Sequence, residues 1–177
     1  MDNLDIHAKK VTDSCYNITE SKDNKLCKIL FKTPIMTTPF GIEEYKGKLV
    51  LNLEFTNKDT NKQMKAFFKD INKYDVFFNN LNSIDDLDLS NKQYSNFIKI
   101  RGNYDPLVRM SLKRSKYRTT TDCYLENAVT HEKEQITTSS IRKNDKIQVV
   151  FCVDNLWLHE DKYGISLVIS KLFKIIN

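Results

Sequence analysis

The clearest pattern in the first half of the chain is a strict alternation. Leu49, Leu51, Leu53 and Phe55 fall on one side of the run 49–55, with Val50, Asn52 and Glu54 between them. That is the period of a strand with one buried face. The run 28–33 is a shorter strand candidate stopped by Pro34, and 39–47 is turn-rich and predicts a link. From Asn61 to Leu81 the period lengthens. Met64, Phe67, Phe68, Ile71, Tyr74, Phe78 and Leu81 form one helical stripe, and Lys62, Lys65, Lys69 and Lys73 fall mostly off it. Thr60 or Asn61 can cap this helix, and the aromatic stripe predicts packing against the core of a sheet. Residues 82–95 predict a polar connector.

From Asn96 the pattern is again that of strands. In 97–101 the alternation places Ile98 and Ile100 inward and Phe97, Lys99 and Arg101 outward. In 106–113 it places Val108, Met110 and Leu112 inward, with Leu107, Arg109, Ser111 and Lys113 on the other face. Gly102–Pro106 between them is turn material. Further strands are predicted over 121–127, over 146–153 running on towards Trp157, and over 162–170, where Ile165, Leu167 and Ile169 share a face. Residues 1–24 are polar without a sustained period and predict a flexible segment or one edge strand. Residues 25–177 then form a single domain. About seven short strands and one helix predict a mainly-β fold, a barrel or sandwich with a helix attached.

The length of 177 residues suits one domain and buries a core without disulfide or metal staples. No run approaches the roughly 18 apolar residues of a membrane span, and the first residues have no apolar leader pattern. The four cysteines, Cys15, Cys27, Cys123 and Cys152, form no CxxC pair and predict structural thiols. His131-Glu132 lacks the second histidine of a zincin helix, position 135 being Gln. The acidic run 85–88 predicts a solvated turn. Neither GxxxxGK[ST] nor GxGxxG occurs, and the isolated glycines Gly41, Gly47, Gly102 and Gly164 predict turns. The chain is therefore expected to be a binding protein without a cofactor, not an enzyme.

Charge sharpens this. The net charge is +5, yet residues 99–118 contain Lys99, Arg101, Arg109, Lys113, Arg114, Lys116 and Arg118 against Asp105 alone. That window carries +6 and leaves the rest of the chain at −1. Lysine outnumbers arginine, 23 to 5, so the arginines are the more informative, and four of the five lie in this window. A concentrated basic patch is the footprint of a polyanion. Single-stranded nucleic acid also needs aromatic faces for its exposed bases. Here the two interleave: Phe97, Lys99, Arg101, Tyr104, Arg109, Lys113, Arg114, Lys116, Tyr117 and Arg118, with Trp157 as either a stacking platform or a core anchor. Tyr104 and Tyr117 are the preferred stacking rings. The alternative is a β-sandwich that serves as a virion structural or protein-interaction module, its polyanion affinity incidental.

Several runs in order carry a resemblance: Tyr104-Asp-Pro-Leu-Val-Arg-Met-Ser-Leu-Lys113, Ile141-Arg-Lys-Asn-Asp-Lys-Ile-Gln-Val-Val-Phe151, Leu156-Trp-Leu158 and Tyr163-Gly-Ile-Ser-Leu167. With Thr33-Pro34 and Phe40-Gly41-Ile42, they resemble the single-stranded DNA-binding proteins of nucleocytoplasmic large DNA viruses. The resemblance implies an oligonucleotide-binding (OB) barrel similar to the phage T7 type. It also implies sequence-independent coating of single-stranded DNA in viral replication, recombination or repair. Other replication proteins or further copies of the chain would be partners, and the host cytoplasm or virion the location, with no membrane involved. Asn144 stands where the family tends to have Gly, Leu167 where it tends to have an aromatic, and 171–177 carries no acidic tail of the kind that recruits partners.

Overall fold

The computed structural model describes residues 4–115 and 119–176. The chain opens with a hairpin, β1 (Ile6–Thr12) and β2 (Cys15–Lys22), to which β3 (Lys25–Cys27) adds a third strand. The polar stretch at the start of the sequence thus holds two strands, and Ile6 and Ile18 anchor them in the core. There follow β4 (Ile29–Lys32), β5 (Met36–Thr37), β6 (Ile42–Tyr45), β7 (Lys48–Glu54) and the helix α1 (Lys62–Asn79). The connector after α1 forms a small hairpin, β8 (Ser83–Ile84) with β9 (Leu87–Asp88), and then β10 (Gln93–Ser95). The second half contains β11 (Ile98–Arg101), β12 (Tyr104–Leu112), β13 (Asp122–Asn127), β14 (Lys133–Gln135) and two long strands, β15 (Lys146–His159) and β16 (Lys162–Ile176).

Among the described residues the fold is mainly β with a single α-helix, as the sequence patterns predict. The pairings of five segments return on themselves. β5 pairs β7, β7 pairs β12, β12 runs parallel to β16, β16 pairs β15, and β15 pairs both β4 and β5. The expected barrel is nonetheless not a clear one, because two seams are short. β5 meets β7 only through Thr37 and Glu54, and β12 meets β16 only at Ser111–Val168 and Leu112–Ile169. Inside the ring lie Leu51, Leu53, Phe55, Val108, Met110, Ile147, Val149, Phe151 and Ile169, all buried. They are the inward positions of alternating strands.

α1 closes the core. The Asn61 side chain accepts a hydrogen bond from the Met64 amide at 3.0 Å and caps the first turn. Met64, Phe67, Ile71 and Phe78 are buried, while Phe68 and Tyr74 are half-buried. Phe67 stacks on Phe55 with centroids 5.9 Å apart and meets Phe151 edge-on at 6.4 Å.

A buried charge fixes the helix to the second half of the chain. Asp75 is 3% exposed. Its carboxylate accepts from the Tyr94 hydroxyl at 2.8 Å, the Phe97 amide at 3.0 Å, the Ile98 amide at 3.2 Å and the Asn96 side chain at 3.3 Å. Burial beside Asp75 pushes the Tyr94 hydroxyl far above its ordinary pKa, so it stays a donor at any working pH. Asp75→Ala strips a charged acceptor from three buried donors at once. Urea denaturation should show a loss of about 3–5 kcal/mol. A loss below about 1 kcal/mol would show that the contact between helix and strand does not depend on this carboxylate.

Candidate nucleic-acid interface

β6, β7, β12 and β11 lie side by side, in that order. Their core-facing positions are apolar, and their other face carries the chemistry. On β7 that face holds Asn52 and Glu54; opposite them, on β12, stand Arg109 and Leu107. Glu43 and Tyr45 come from β6, and Lys99 and Arg101 from β11.

The β6–β7 turn is Lys46-Gly47, both residues left-handed, with φ of 50° and 72°. Two residues with positive φ between paired strands make the tight hairpin whose twist matches the sheet. This turn directs Tyr45 outward, where it is 48% exposed. The Arg109 guanidinium lies over its ring, 4.6 Å from the centroid. Arg109 is itself fixed from below. Its Nε donates to Asn52 Oδ1 at 3.0 Å, and Asn52 Nδ2 donates to Glu43 Oε2 at 3.0 Å. Tyr45 is the main residue that sequence reasoning missed. The one local signal was the Lys46-Gly47 turn, since Ile42-Glu-Glu-Tyr45 does not alternate, and the segment passes for a link when only Pro39 and the glycines are weighed.

The β11–β12 hairpin repeats the arrangement. Tyr104 is 73% exposed, with the Arg101 guanidinium 5.6 Å from its centroid. Arg101 Nη2 donates to Glu54 Oε1 at 2.6 Å and to the Asp105 carbonyl at 2.8 Å. Each exposed tyrosine therefore has an arginine beside it, held by a carboxylate directly or through an amide. Lys99 belongs to the same cluster. Burial lowers its pKa, Asp75 opposes that, and the nearby Arg109 charge lowers it further. Its ammonium donates to Ser95 Oγ at 3.4 Å.

Other expected residues sit elsewhere. Phe97 is 5% exposed and belongs to the core, not to an outer face. The cause is Asp75: it draws in two successive amides, those of Phe97 and Ile98, so both side chains are buried. Ile100 is the converse. It keeps the core-facing side of its strand, but the hairpin overhangs the core and leaves it 72% exposed. Around this overhang the register slips between Lys99 and Arg101, with β12 contributing the extra residue. Leu107 faces the outer side as expected and is nevertheless covered. Lys113 is exposed just beyond β12, its amide donating to Thr121 Oγ1 at 2.7 Å. Arg114 is exposed and donates to the Gly47 carbonyl at 2.7 Å, reaching the β6–β7 turn. Lys116, Tyr117 and Arg118 lie outside the described residues. Tyr124 is half-buried and stacked on Phe173 at 5.5 Å.

Trp157 is half-buried on β15, opposite Gly164 of β16. Gly164 is not a turn residue, as the sequence suggested, but sits within a strand where a Cβ would overlap the indole ring. The tryptophan thus anchors one strand to the next. All four cysteines are free thiols; burial pushes Cys123 up to about 11 and raises Cys152, so neither is an activated thiolate. Among the described residues no group of three or more His, Cys, Asp or Glu side chains converges on a metal position.

By sequence, the chain matches no family model and no curated protein. By structure it is similar to gp2.5, a single-stranded DNA-binding protein encoded by bacteriophage T7. The TM-score is 0.52 at 12% identity over 84% of this chain and 87% of that one. It is also similar to the single-stranded DNA-binding protein of bacteriophage Enc34. There the TM-score is 0.52 at 12% identity over 98% of this chain and 89% of that one. At this identity the likeness is one of fold.

The fit of Trp157 on Gly164 is directly testable. Gly164→Ala must push the ring aside and should lower stability by about 1–3 kcal/mol, with a shifted tryptophan emission. Unchanged emission and unchanged melting would contradict the packing.

Proposed function

We propose that this protein binds single-stranded DNA, without enzymatic activity, through the outer face of β7 and β12. The observation that carries the reading is the pair of exposed tyrosines, Tyr45 and Tyr104, each flanked by an arginine from another strand of the same sheet. Cations hold phosphates, and aromatic faces stack on bases that a duplex hides. Phosphate contacts alone would favour duplex, whose charge density is higher.

The connectivity supports the same face. Numbered along the chain, β4 with β5 comes first, β7 second, β12 third, β15 fourth and β16 fifth; round the ring the fifth lies between the third, to which it is parallel, and the fourth, which closes on the first. This connectivity supports the OB reading, and an OB fold binds oligonucleotides on its second and third strands and on the loop joining the first to the second. Here those strands are β7 and β12, and Tyr45 lies on the connection between β5 and β7. The phage proteins of similar fold are single-stranded DNA-binding proteins, and the sequence runs described above resemble their large-DNA-virus counterparts. Together these support a role in viral DNA replication, recombination or repair, at the host cytoplasmic replication site. Other replication proteins and further copies of the chain would act as partners on the coated strand.

Tyr45→Ala with Tyr104→Ala tests the reading in a fluorescence titration with labelled oligonucleotides of equal length. If each ring stacks on one base, single-strand affinity should fall by roughly 2–6 kcal/mol, while duplex affinity changes little. Retention of full single-strand preference in the double variant would remove this face from the mechanism.

A further inference from the structure

Beside the outer face, under the overhanging β11–β12 hairpin, is a cleft of about 480 Å³ between α1 and β10–β11. Its size falls in the range of small-ligand sites. Asn72 and Asp75 of α1 line it on one side, and Ser95, Asn96, Lys99 and Ile100 on the other. Ile100 is 72% exposed and lines this space, an apolar side chain left out of the core. Lys99 belongs both to the cleft and to the cation cluster of the interface, so the cleft opens next to the track of the phosphates.

We infer that this cleft takes one unpaired nucleobase carrying an exocyclic amine, adenine or cytosine, from a strand bound on the outer face. The inference rests on the single-strand reading and makes it more specific. The acceptor for the amine is set by the fold. Asn96 Nδ2 donates to Asp75 Oδ2 at 3.3 Å, so the Asn96 amide is oriented and presents its Oδ1 as an acceptor. The Asp75 oxygens are already taken by four donors and leave base recognition to the amides. Asn72 adds a second amide, of the kind that reads base edges, and Ile98 and Ile100 offer apolar contact to the ring. Lys99 is placed for the phosphate of the same nucleotide. A paired base cannot enter, so the cleft adds to the discrimination against duplex. It also gives a base preference that stacking on Tyr45 and Tyr104 would not.

The test compares dC20 with dT20, pyrimidine strands that differ at the C4 substituent, the N3 hydrogen and the C5 methyl. The full chain should bind dC20 at least threefold more tightly than dT20. Asn96→Ala should abolish that difference, so that the two strands bind equally. Ile100→Ala, at an exposed position, should leave melting unchanged and weaken dC20 at least threefold. If Asn96→Ala fails to fold, Ile100→Ala decides alone. Equal binding of dC20 and dT20, with Ile100→Ala indistinguishable from the parent, would overturn the inference and leave the outer-face reading intact. Binding of neither strand would overturn the outer-face reading itself. Loss of preference for dC20 in the Tyr45→Ala variant alone would place base selection on the outer face and overturn the cleft.

Discussion

The arrangement of the outer face depends on one buried carboxylate. Asp75 sits in the fourth turn of α1 and accepts from four donors of the segment 94–98. The segment's other ties are short: β10 is three residues long and pairs with β16 in parallel, Tyr94 meets the Tyr163 ring at 5.2 Å, and Ile98 pairs with Val108. With its amides tied to the helix, the chain enters β11 in a fixed register. Lys99 and Arg101 then face outward beside Arg109, and Ile100 overhangs the cleft. A buried charge is tolerable where every acceptor site is filled, and this one is filled by the segment it positions.

Acids also govern the cations of the outer face. Read as a count, residues 99–118 are a strongly basic run. In the fold, Glu54 contacts Arg101 at 2.6 Å, and Glu43 reaches Arg109 through Asn52. The acids come from β6 and β7, distant in sequence, so the run's net charge overstates the field a phosphate meets. What the acids supply is order. An arginine held on one side by a carboxylate loses less freedom when its other side meets a ligand. The same tethers keep the guanidinium groups against Tyr45 and Tyr104, so each ring stands in a defined position.

Much of the scaffold was legible in the sequence. The alternation of 49–55 and of 106–113, and the helical stripe from Met64 to Phe78, reappear as β7, β12 and α1 because burial of one face decides both their period and their orientation. The failures have a common cause in contacts between residues far apart. Phe97 alternates correctly for an outward ring, but a hydrogen bond from its amide to Asp75 turns it inward. Ile100 alternates correctly for the core, but the strand outruns the core at that point. Tyr45 was hidden in a short strand whose only local mark is a Lys-Gly turn. Gly164 is set by the indole across the hairpin, which no local pattern records. Of the expected site, Lys99, Arg101, Tyr104 and Arg109 come together, and Arg114 reaches their edge through Gly47.

If the outer face binds single-stranded DNA as proposed, it discriminates by exposed bases and not by charge alone. Competition of a single strand against a duplex of equal length across a salt series, with the unmodified protein, measures this. Loss of phosphate contacts at high salt weakens both complexes, whereas stacking persists. Preference for the single strand should therefore widen as salt rises. A duplex bound equally or more tightly throughout the series would contradict it.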